Sequence, residues 1–589
     1  MVDKLRGLIK SKNKKRQQMI DAIVLSSIIF IIAYSFSKIV FFINDDTNIL
    51  YTLSGNYTGE PTDHPFINVI LSYTLIGLYK MLPQVPWYPI AQMVGIYVSI
   101  TVFIYYCIKA GDKGDVPRII TIVAFTLIYL CFFYSSAVML QFTTTSALLG
   151  SAGILIALHI DSSLEPKKYM FSIFLSGLFL LASCLFRKNL IPYYFAIWIL
   201  TLARNLLVSL PIERKKYIIA YMQSALVIVL LIVGAVFANS AIRSTEDWIE
   251  YKNFDTARYK MQDYPHDYAS DNPELYESIG WTKGLNDLTG EETWSYFMMD
   301  SRVNIEAFNT ISNTSNATKN LSINIADNLT ALWNQGILPK MCILYSVVVG
   351  TLAIVVFFVY KNKAVRIVGL SIMGYTILFL AGFIYLSYIQ RVPFRALQSI
   401  CFPMVMTCTT LTLSLYRYLK ERIRKVAMIL VLVSIFLLSI CGYKCVVESN
   451  YLVADRYNKS QNFLIAEKYA LEHPDEFFVY DTSLTFRYLP FVNYGSDKPT
   501  NIMYWGGMGW KSPAYYDQLR KNRIDELYSD VLLNENAYFI TNPNYSIHGE
   551  KVFDIFKRYM EETYPGVQTE LVDKLDRDIT VYKFVLEER

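Results

Sequence analysis

The sequence carries little charge for its length. Of its 589 residues, 18% are Asp, Glu, Lys or Arg and 53% are hydrophobic, whereas soluble globular proteins contain about 25% charged residues. Mean hydropathy is +0.29, and the apolar residues cluster in runs near the roughly 20 residues that cross a bilayer as a helix. This composition excludes a disordered chain and a conventional soluble enzyme. The net charge of +5 is spread over many short loops, so nothing favours a nucleic-acid partner.

The long polar stretches, Arg243–Pro339 and Val447–Arg589, contain no cysteine. All eight cysteines lie in or at the ends of apolar runs, which excludes a disulfide framework and is typical of buried thiols that act as small hydrophobes. Paired C-x-x-C motifs and an H-E-x-x-H motif are also absent, which excludes the common zinc signatures. No repeat with a period of about 20–50 residues is visible, which excludes a solenoid. The sequence therefore predicts a polytopic α-helical membrane protein.

The N-terminal segment 1–18 is basic, with seven Lys or Arg and one Asp. The apolar run 19–43 that follows is longer than a signal-peptide core and ends without a small-residue cleavage site, so it predicts an uncleaved first span. Because positively charged flanks stay inside, we expect the N-terminal tail in the cytoplasm.

Residues 66–82 decide the orientation of every later loop. If this run crosses the membrane, the five short loops richest in Lys and Arg face outward, against the usual bias; if it lies in the interface, all five face the cytoplasm. The run is short, contains Lys80 and is bounded by Pro65 and Pro83, so we predict that it does not cross. About eleven spans remain: 19–43, 88–108, 119–140, 143–160, 169–186, 190–209, 217–241, 339–360, 367–389, 398–416 and 426–446.

This parity argument divides the chain into three parts. A cytoplasmic tail (1–18) precedes a transmembrane domain (19–446), whose loops 44–87 and 242–338 lie outside. Residues 447–589 predict an extracytoplasmic α/β domain, because β-rich runs alternate there with helical patterns. The β-rich runs are 477–481, 537–541 and 579–585, and the helical patterns are 460–472, 515–528 and 549–562.

Asp45 and Asp46 follow the first predicted span directly. Carboxylates are costly beside hydrocarbon unless they are paired, solvated or metal-bound. One of them can serve as a general base for a hydroxyl, while its neighbour orients it or holds a divalent cation such as Mg²⁺ or Mn²⁺. The alternative is a turn that ends the first span at the water interface. We expect the pair in an extended turn, where adjacent side chains point in different directions.

Other candidate residues fall in the same outer loops. His64 can contact a donor phosphate, a metal or the acceptor, or simply cap a helix; Tyr57 can stack on a sugar, while Trp87 and Tyr88 are typical of an interfacial aromatic belt. In the middle loop a polar group can line an acceptor groove or form a solvated network. Its members are Asp255, Arg258, Asp263 and His266.

Four basic residues lie at predicted outer span ends, against the orientation bias. Arginine presents paired donors to phosphate oxygens, so we interpret these residues as a donor-phosphate site. The alternative is pairing with outer-leaflet lipid phosphates or nearby acids. The four are Arg187, Lys188, Arg391 and Arg395.

The acidic pair straight after the first span, the Gly/Pro/Tyr loop that follows it, an amphipathic segment and Pro86–Trp87–Tyr88 together resemble the GT-C superfamily of membrane glycosyltransferases. Within it, the chain looks like the bacterial O-antigen glucosyltransferase-like branch, to which segments 254–268, 276–287 and 294–300 are also similar.

This resemblance implies a multi-pass protein of the bacterial cell membrane that moves a sugar from a polyprenyl-phosphate donor to an envelope glycan acceptor at the outer face. It also implies that an acid of the first outer loop serves as base or metal ligand, with Asp45 as the base.

Three other functions stay open at this point. An envelope polysaccharide polymerase or ligase shares many spans and a large outer loop, but relies more on outer-loop arginines. A lipid-linked glycan transporter would carry charges along its intramembrane path, and this sequence has few. An assembly protein would bind envelope polymer through its C-terminal domain without chemistry.

Overall fold

The computed structural model describes residues 2–56, 58–161, 165–208, 214–264, 266–270, 272–289, 294–314, 321–389, 392–422, 424–481, 488–491, 498–504, 509–525, 528–547 and 549–587. Two of the predicted site residues, Tyr57 and Arg391, lie outside these ranges.

The chain folds into two units, each built from three separate segments. We call the first the helical unit; it comprises Met1–Ile39, Ile90–Phe237 and Asn320–Val453. We call the second the mixed unit; it comprises Val40–Pro89, Ala238–Lys319 and Ala454–Arg589. The mixed unit gathers almost all of the three segments that the charge pattern predicts outside the cytoplasm.

Long apolar helices make up the helical unit. Eight helices in the described residues are long and apolar enough to cross a membrane: Asn13–Phe36, Trp87–Lys113, Arg118–Val138, Pro166–Phe186, Ile218–Ile242, Ile337–Val359, Lys363–Tyr388 and Phe394–Tyr418. Each coincides with one of the eleven predicted spans. The fold is therefore the polytopic helical architecture that the composition predicts. Three of these helices are longer than their apolar parts, with full bounds Val2–Phe36, Arg214–Ile242 and Phe394–Arg422. Further helices of this unit include Phe142–Leu158, Ile191–Val208 and Leu321–Asn334.

The predicted span 143–160 forms the helix Phe142–Leu158, which is buried along its whole length. It packs against Pro166–Phe186 so closely that a Cβ on Gly153 would lie 2.6 Å from the Ser176 carbonyl oxygen. The Ser146 and Ser183 hydroxyls are 2.9 Å apart across the same interface. Small residues allow such close approach between apolar helices, so this run is the core of the helical unit.

The last predicted span does not end where we expected. The sequence predicts a span 426–446 followed by a separate helix 460–472, but the structure has one continuous helix, Arg424–Glu472. Between residues 443 and 472 there is no glycine or proline to interrupt it. The helix ends just before Pro474, because the residue that precedes a proline disfavours the helical conformation.

A five-stranded mixed sheet forms the C-terminal part of the mixed unit. Its strands are β1 (Phe477–Tyr480), β2 (Ile502–Tyr504), β3 (Ala537–Thr541), β4 (Val567–Asp576) and β5 (Ile579–Leu586). Their order across the sheet is β2-β1-β3-β5-β4. The first three pair in parallel, while β5 is antiparallel to both β3 and β4. The structure thus confirms a C-terminal α/β region, with strands at all three predicted β-rich runs.

Short helices complete the mixed unit. The helices that precede β1 in the chain are Asn44–Ser54, Val69–Met81, Glu246–Gln262, Pro273–Ser278, Lys283–Asp287, Trp294–Phe297 and Ile305–Thr314. The helices between strands of the sheet are Pro513–Lys521, Ser529–Leu533 and Val552–Thr563. Segment 238–319 and the C-terminal sheet share one hydrophobic core. At its centre the Tyr296 ring stacks on Phe556 with centroids 4.4 Å apart. The middle loop and the C-terminal sheet therefore fold together.

The helix Val69–Met81 covers most of the run whose crossing decides the topology. It has 13 residues, so at about 1.5 Å per residue it rises roughly 20 Å, less than the ~30 Å hydrocarbon core. The residues on both sides of it belong to the mixed unit. A compact unit of loops lies on one side of a bilayer, which favours a helix that does not cross.

Cysteine labelling tests this topology. In a cysteine-free background, exposed positions in the mixed unit (Glu60, Lys283 and Lys521) should react with a membrane-impermeant thiol reagent from outside the cell. Lys113 and Lys363, in predicted cytoplasmic loops, should react only after permeabilisation. Labelling of Lys113 and Glu60 from the same side would show that Val69–Met81 crosses.

Candidate active site

The acidic pair lies in the first turn of a helix. Asp45 and Asp46 belong to Asn44–Ser54, which ends at Gly55 in the left-handed conformation, φ 76°. Our expectation of an extended turn was wrong. Carboxylates stabilise a helix N-terminus, where unpaired backbone N–H groups concentrate positive charge, and the following residues continue the helix. Both acids are buried, with 7% of Asp45 and 0% of Asp46 exposed.

Tyr88 holds Asp46 in place. The Tyr88 hydroxyl donates a hydrogen bond to Asp46 Oδ1 at 2.7 Å, and the backbone N–H of Tyr88 donates to the Tyr79 hydroxyl at 3.0 Å. Tyr88 is fully buried. The interpretation of Tyr88 as part of an interfacial aromatic belt was therefore wrong, because a belt residue would reach the membrane surface.

Asp45 lies in a different environment, near two phenols. Its charge acts on Tyr251 and on Tyr488. Burial raises the pKa of the Tyr251 phenol well above its ordinary value, so this side chain stays a neutral donor. Three other charged groups also act on that phenol: Asp255, Arg258 and Arg243. Tyr251 belongs to the middle loop and lies within electrostatic range of Asp45 in the first outer loop, and sequence reasoning missed it.

The C-terminal segment fixes the chain around the acids. Phe41 N–H donates to the Tyr488 carbonyl at 2.7 Å, and Arg456 Nε donates to the Phe42 carbonyl at 2.8 Å. At the other end of the acidic helix, the Tyr51 hydroxyl donates to Glu467 Oε1 at 2.6 Å. These contacts restrict the motion of Asp45 and Asp46, which is the arrangement a catalytic acid or base requires.

His64 is a buried, neutral imidazole. Only 2% of it is exposed, and burial together with the nearby Arg243 lowers its pKa to about 3. Its Nδ1 accepts a long hydrogen bond from Phe66 N–H at 3.4 Å, so the ring proton resides on Nε2. Among the described residues, Nε2 has no hydrogen-bond partner. A buried N–H donor of this kind suits a substrate oxygen better than a capping role.

Arg243 binds the loop that carries His64. It forms two hydrogen bonds with the Asp63 carboxylate, at 2.6 and 2.7 Å. It also donates to the backbone carbonyls of His64, Pro65 and Ile67 and to the Asn239 side chain. Sequence reasoning missed this residue. The signal was present, because Arg243 is a positive charge at a predicted outer span end, the same criterion that selected Arg187 and Arg395.

The middle-loop candidates have local partners. Arg258 is buried and pairs with Asp255 one turn earlier on the same helix, Nε to Oδ1 at 3.1 Å. Asp263 is the C-cap residue of that helix, and His266 Nδ1 lies 3.2 Å from the Tyr264 carbonyl oxygen. Of the three, Arg258 is the one whose charge acts on Tyr251, the phenol on which Asp45 also acts.

The basic candidates belong to the helical unit. Arg187 is half-buried, with its guanidinium 4.9 Å from the Phe142 ring centroid. Lys188 is exposed in the same turn, and half-buried Arg395 lies in the first turn of Phe394–Arg422. The acids, His64 and Arg258 belong to the mixed unit.

Asp45 and Asp46 carry the carboxylate oxygens that a divalent cation prefers as ligands. Among the residues that the structure describes, no group of three or more His, Cys, Asp and Glu side chains is placed to hold a metal ion. In the part of the chain that the structure describes, Asp45 and Asp46 have no third ligand of this type, and Tyr88 occupies one oxygen of Asp46. The mechanism below therefore assigns its steps to the side chains alone.

Comparison with known proteins found two solved structures of one protein. No family model matches the sequence, and no curated protein matches it. The crystal structure of ArnT from Cupriavidus metallidurans bound to undecaprenyl phosphate is similar at a TM-score of 0.39, with 10% identity over 96% of this chain and 97% of that chain. The apo structure of the same protein gives a TM-score of 0.38 with the same identity and coverage. No family is assigned from a likeness at this level.

Proposed function

We propose that the protein is a GT-C type membrane glycosyltransferase. It moves a sugar from a polyprenyl-phosphate donor to an envelope glycan or glycopolymer acceptor at the outer face of a bacterial membrane. The observation that carries this proposal is the pair Asp45 and Asp46, buried directly after the first apolar helix and held in a rigid hydrogen-bonded surrounding.

In the proposed reaction Asp45 is the general base. An acceptor hydroxyl attacks the anomeric carbon of the donor sugar, and Asp45 takes the hydroxyl proton. The new carbon–oxygen bond forms as the bond to the phosphate oxygen breaks, and polyprenyl phosphate leaves with the electron pair. A phosphate is already a good leaving group, so the main contributions of the protein are positioning and the base.

Asp46 has a different role in this scheme. Its Oδ1 is already hydrogen-bonded to Tyr88, and the side chain is fully buried. We assign Asp46 two roles: it orients the helix Asn44–Ser54, and its charge adds to the negative potential around Asp45. The neutral His64 donates its Nε2 proton to an oxygen of the bound sugar or acceptor, and Arg258 lies on the acceptor side with Asp263 and His266.

Arg187, Lys188, Arg391 and Arg395 are proposed to bind the donor phosphate. Arg395→Ala should weaken binding of a polyprenyl-phosphate sugar about 10-fold or more, since hydrogen bonds to charged groups contribute roughly 1.5–3 kcal/mol. Acceptor affinity should stay unchanged. Equilibrium binding of each substrate to the purified variant in detergent measures both.

Arg417→Ala is the matched control for Arg395→Ala, because Arg417 is an exposed arginine near the opposite end of the same helix. If Arg395→Ala binds the donor as tightly as Arg417→Ala does, Arg395 has no part in phosphate binding.

Envelope-glycan analysis tests the function as a whole. A deletion strain is complemented with the wild-type gene or with Asp45→Asn, and its surface glycans are compared by mass spectrometry. Loss of a side-chain sugar, restored only by the wild type, is the expected result. Shortened polymer chains would indicate a polymerase, and unchanged glycans would exclude both activities.

A further inference from the structure

A polar cavity in the mixed unit lies within the body formed by the middle loop and the C-terminal sheet. Its volume is about 360 Å³, and its lining comes from residues 282, 300–302, 528–530 and 562–564. Small-molecule pockets typically enclose roughly 300–1,000 Å³, so the cavity has room for one or two sugar rings. Most of those pockets have apolar walls, whereas this one is lined chiefly by hydroxyl and charged groups.

The base of the cavity is a fixed hydrogen-bond network. Asp300 is 4% exposed and Ser529 is 2% exposed. The Tyr559 hydroxyl donates to Asp300 Oδ2 at 2.8 Å, and Arg302 binds the same carboxylate through Nε at 2.8 Å and a terminal nitrogen at 2.6 Å. Although burial alone would raise it, the pKa of Asp300 is lowered by the hydrogen bonds from Arg302 and Tyr559. The network therefore keeps the Asp300 carboxylate charged and fixed in position.

The position of Glu562 is also fixed. Its Oε2 accepts a hydrogen bond from the Gly284 backbone N–H at 2.9 Å. A Cβ at residue 284 would lie 2.2 Å from that oxygen, so a larger residue there would displace the Glu562 carboxylate. Gly284 therefore leaves room for this contact at the edge of the cavity.

The lining is rich in hydroxyls and negative in charge. Its hydroxyl groups come from two tyrosines, two threonines and two serines, namely Tyr528, Tyr564, Thr282, Thr563, Ser301 and Ser529. One lining cation, Arg302, faces three lining carboxylates, Asp300, Asp530 and Glu562, so the lining has a surplus of negative charge. Hydroxyl donors and acceptors match the edge of a sugar ring, and the surplus negative charge matches an ammonium group.

We propose that this cavity is a binding subsite for an amino sugar, which recruits the acceptor glycan to the mixed unit. This inference rests on the proposed function only in identifying the bound glycan as the acceptor. Recognition of a sugar with a free amino group follows from the lining itself and needs no transfer reaction.

Binding to the full-length protein in detergent tests the proposal. The probe is a glucosamine disaccharide, compared by calorimetry with its N-acetylated form, in which the ammonium charge is removed. We expect the free amine to bind about 10-fold or more tightly than the acetylated sugar. Glu562→Gln and Asp530→Asn should each reduce binding of the amine by a similar factor and leave the acetylated sugar unaffected.

Two further variants separate this site from the rest of the molecule. Glu570→Gln, an exposed carboxylate on β4, should bind the amine like the wild type, whereas Ser301→Trp should abolish binding by filling the cavity. Equal binding of the two sugars, or a wild-type affinity in Glu562→Gln and Asp530→Asn, would overturn the proposal. Equally tight binding of a simple diamine would overturn the assignment to a sugar.

Asp45→Asn keeps the two proposals distinguishable. If the protein is a glycosyltransferase without this subsite, Asp45→Asn loses turnover while no variant binds the amine. If the subsite exists without transferase activity, Asp45→Asn binds the amine normally, and neither it nor the wild type transfers sugar.

Discussion

Replacing Asp45 by asparagine is expected to reduce turnover by about 10²–10⁴-fold, the usual contribution of a general base. Asparagine has nearly the same shape but cannot accept the acceptor proton. The side chain is buried, and the amide fills the same space. We therefore expect the melting temperature of the variant to stay within a few degrees of wild type, measured with sugar transfer on the same purified sample.

Asp46→Asn should have a smaller effect. The amide oxygen can still accept the hydrogen bond from the Tyr88 hydroxyl, so the acidic helix keeps its position. If Asp46 positions rather than reacts, Tyr88→Phe, which removes that hydrogen bond, should reduce turnover at least as much as Asp46→Asn does, without changing the pH profile. Loss of the base in Asp45→Asn, by contrast, should remove the rise of activity with pH.

A matched control separates catalysis from helix stability. Asp554 lies in the first turn of Val552–Thr563 in the same unit, so Asp554→Asn reports what an N-terminal carboxylate contributes to folding alone. Losing such a group costs about 0.3–1 kcal/mol and leaves turnover intact. If Asp45→Asn and Asp46→Asn both fold and keep full activity, the proposed mechanism is wrong. Activity lost in both variants but insensitive to a chelator would keep the base and exclude a metal.

The position of the acidic pair was predictable, but its partners were not. Two carboxylates straight after an apolar run are visible in the sequence, whereas Tyr88 and Tyr251 approach them only through the fold. The interfacial belt was a reasonable prediction for Tyr88, since Trp and Tyr are common at span ends. What the sequence does not reveal is that residues 40–89 return on themselves, which buries Tyr88 against Asp46.

The strands of the C-terminal sheet were likewise only partly predictable from the sequence. Strands β1, β3 and β5 were predicted because they are runs of apolar and β-branched residues. Strand β4, Val567–Asp576, was missed because it is mostly exposed and contains four charged residues. Strand β2 was missed because it has only three residues. Both lie at the edges of the sheet, where burial imposes little pattern on the sequence.

Arg243 is the residue with the largest expected effect on stability. Arg243 and Asp63 form an ion pair in which each side chain is 8% exposed, and the guanidinium also satisfies three backbone carbonyls of residues 64–67. Removing one partner of a buried pair leaves an uncompensated charge and typically costs about 3–5 kcal/mol. Arg243→Ala should therefore lower the free energy of unfolding by that amount, measured by denaturant unfolding in detergent.

The same variant separates a structural contribution from a catalytic one. Arg520→Ala is the control, because Arg520 and Asp517 form an exposed pair on one helix, and such pairs contribute about 0–1 kcal/mol. Asp63→Asn should destabilise nearly as much as Arg243→Ala, and the double variant should cost less than the sum of the two, since they share one interaction. If Arg243→Ala unfolds like Arg520→Ala, the loop around His64 is held by other contacts. In that case Arg243 is available to bind a substrate anion, and a loss of donor affinity without a loss of stability would identify it as a binding residue.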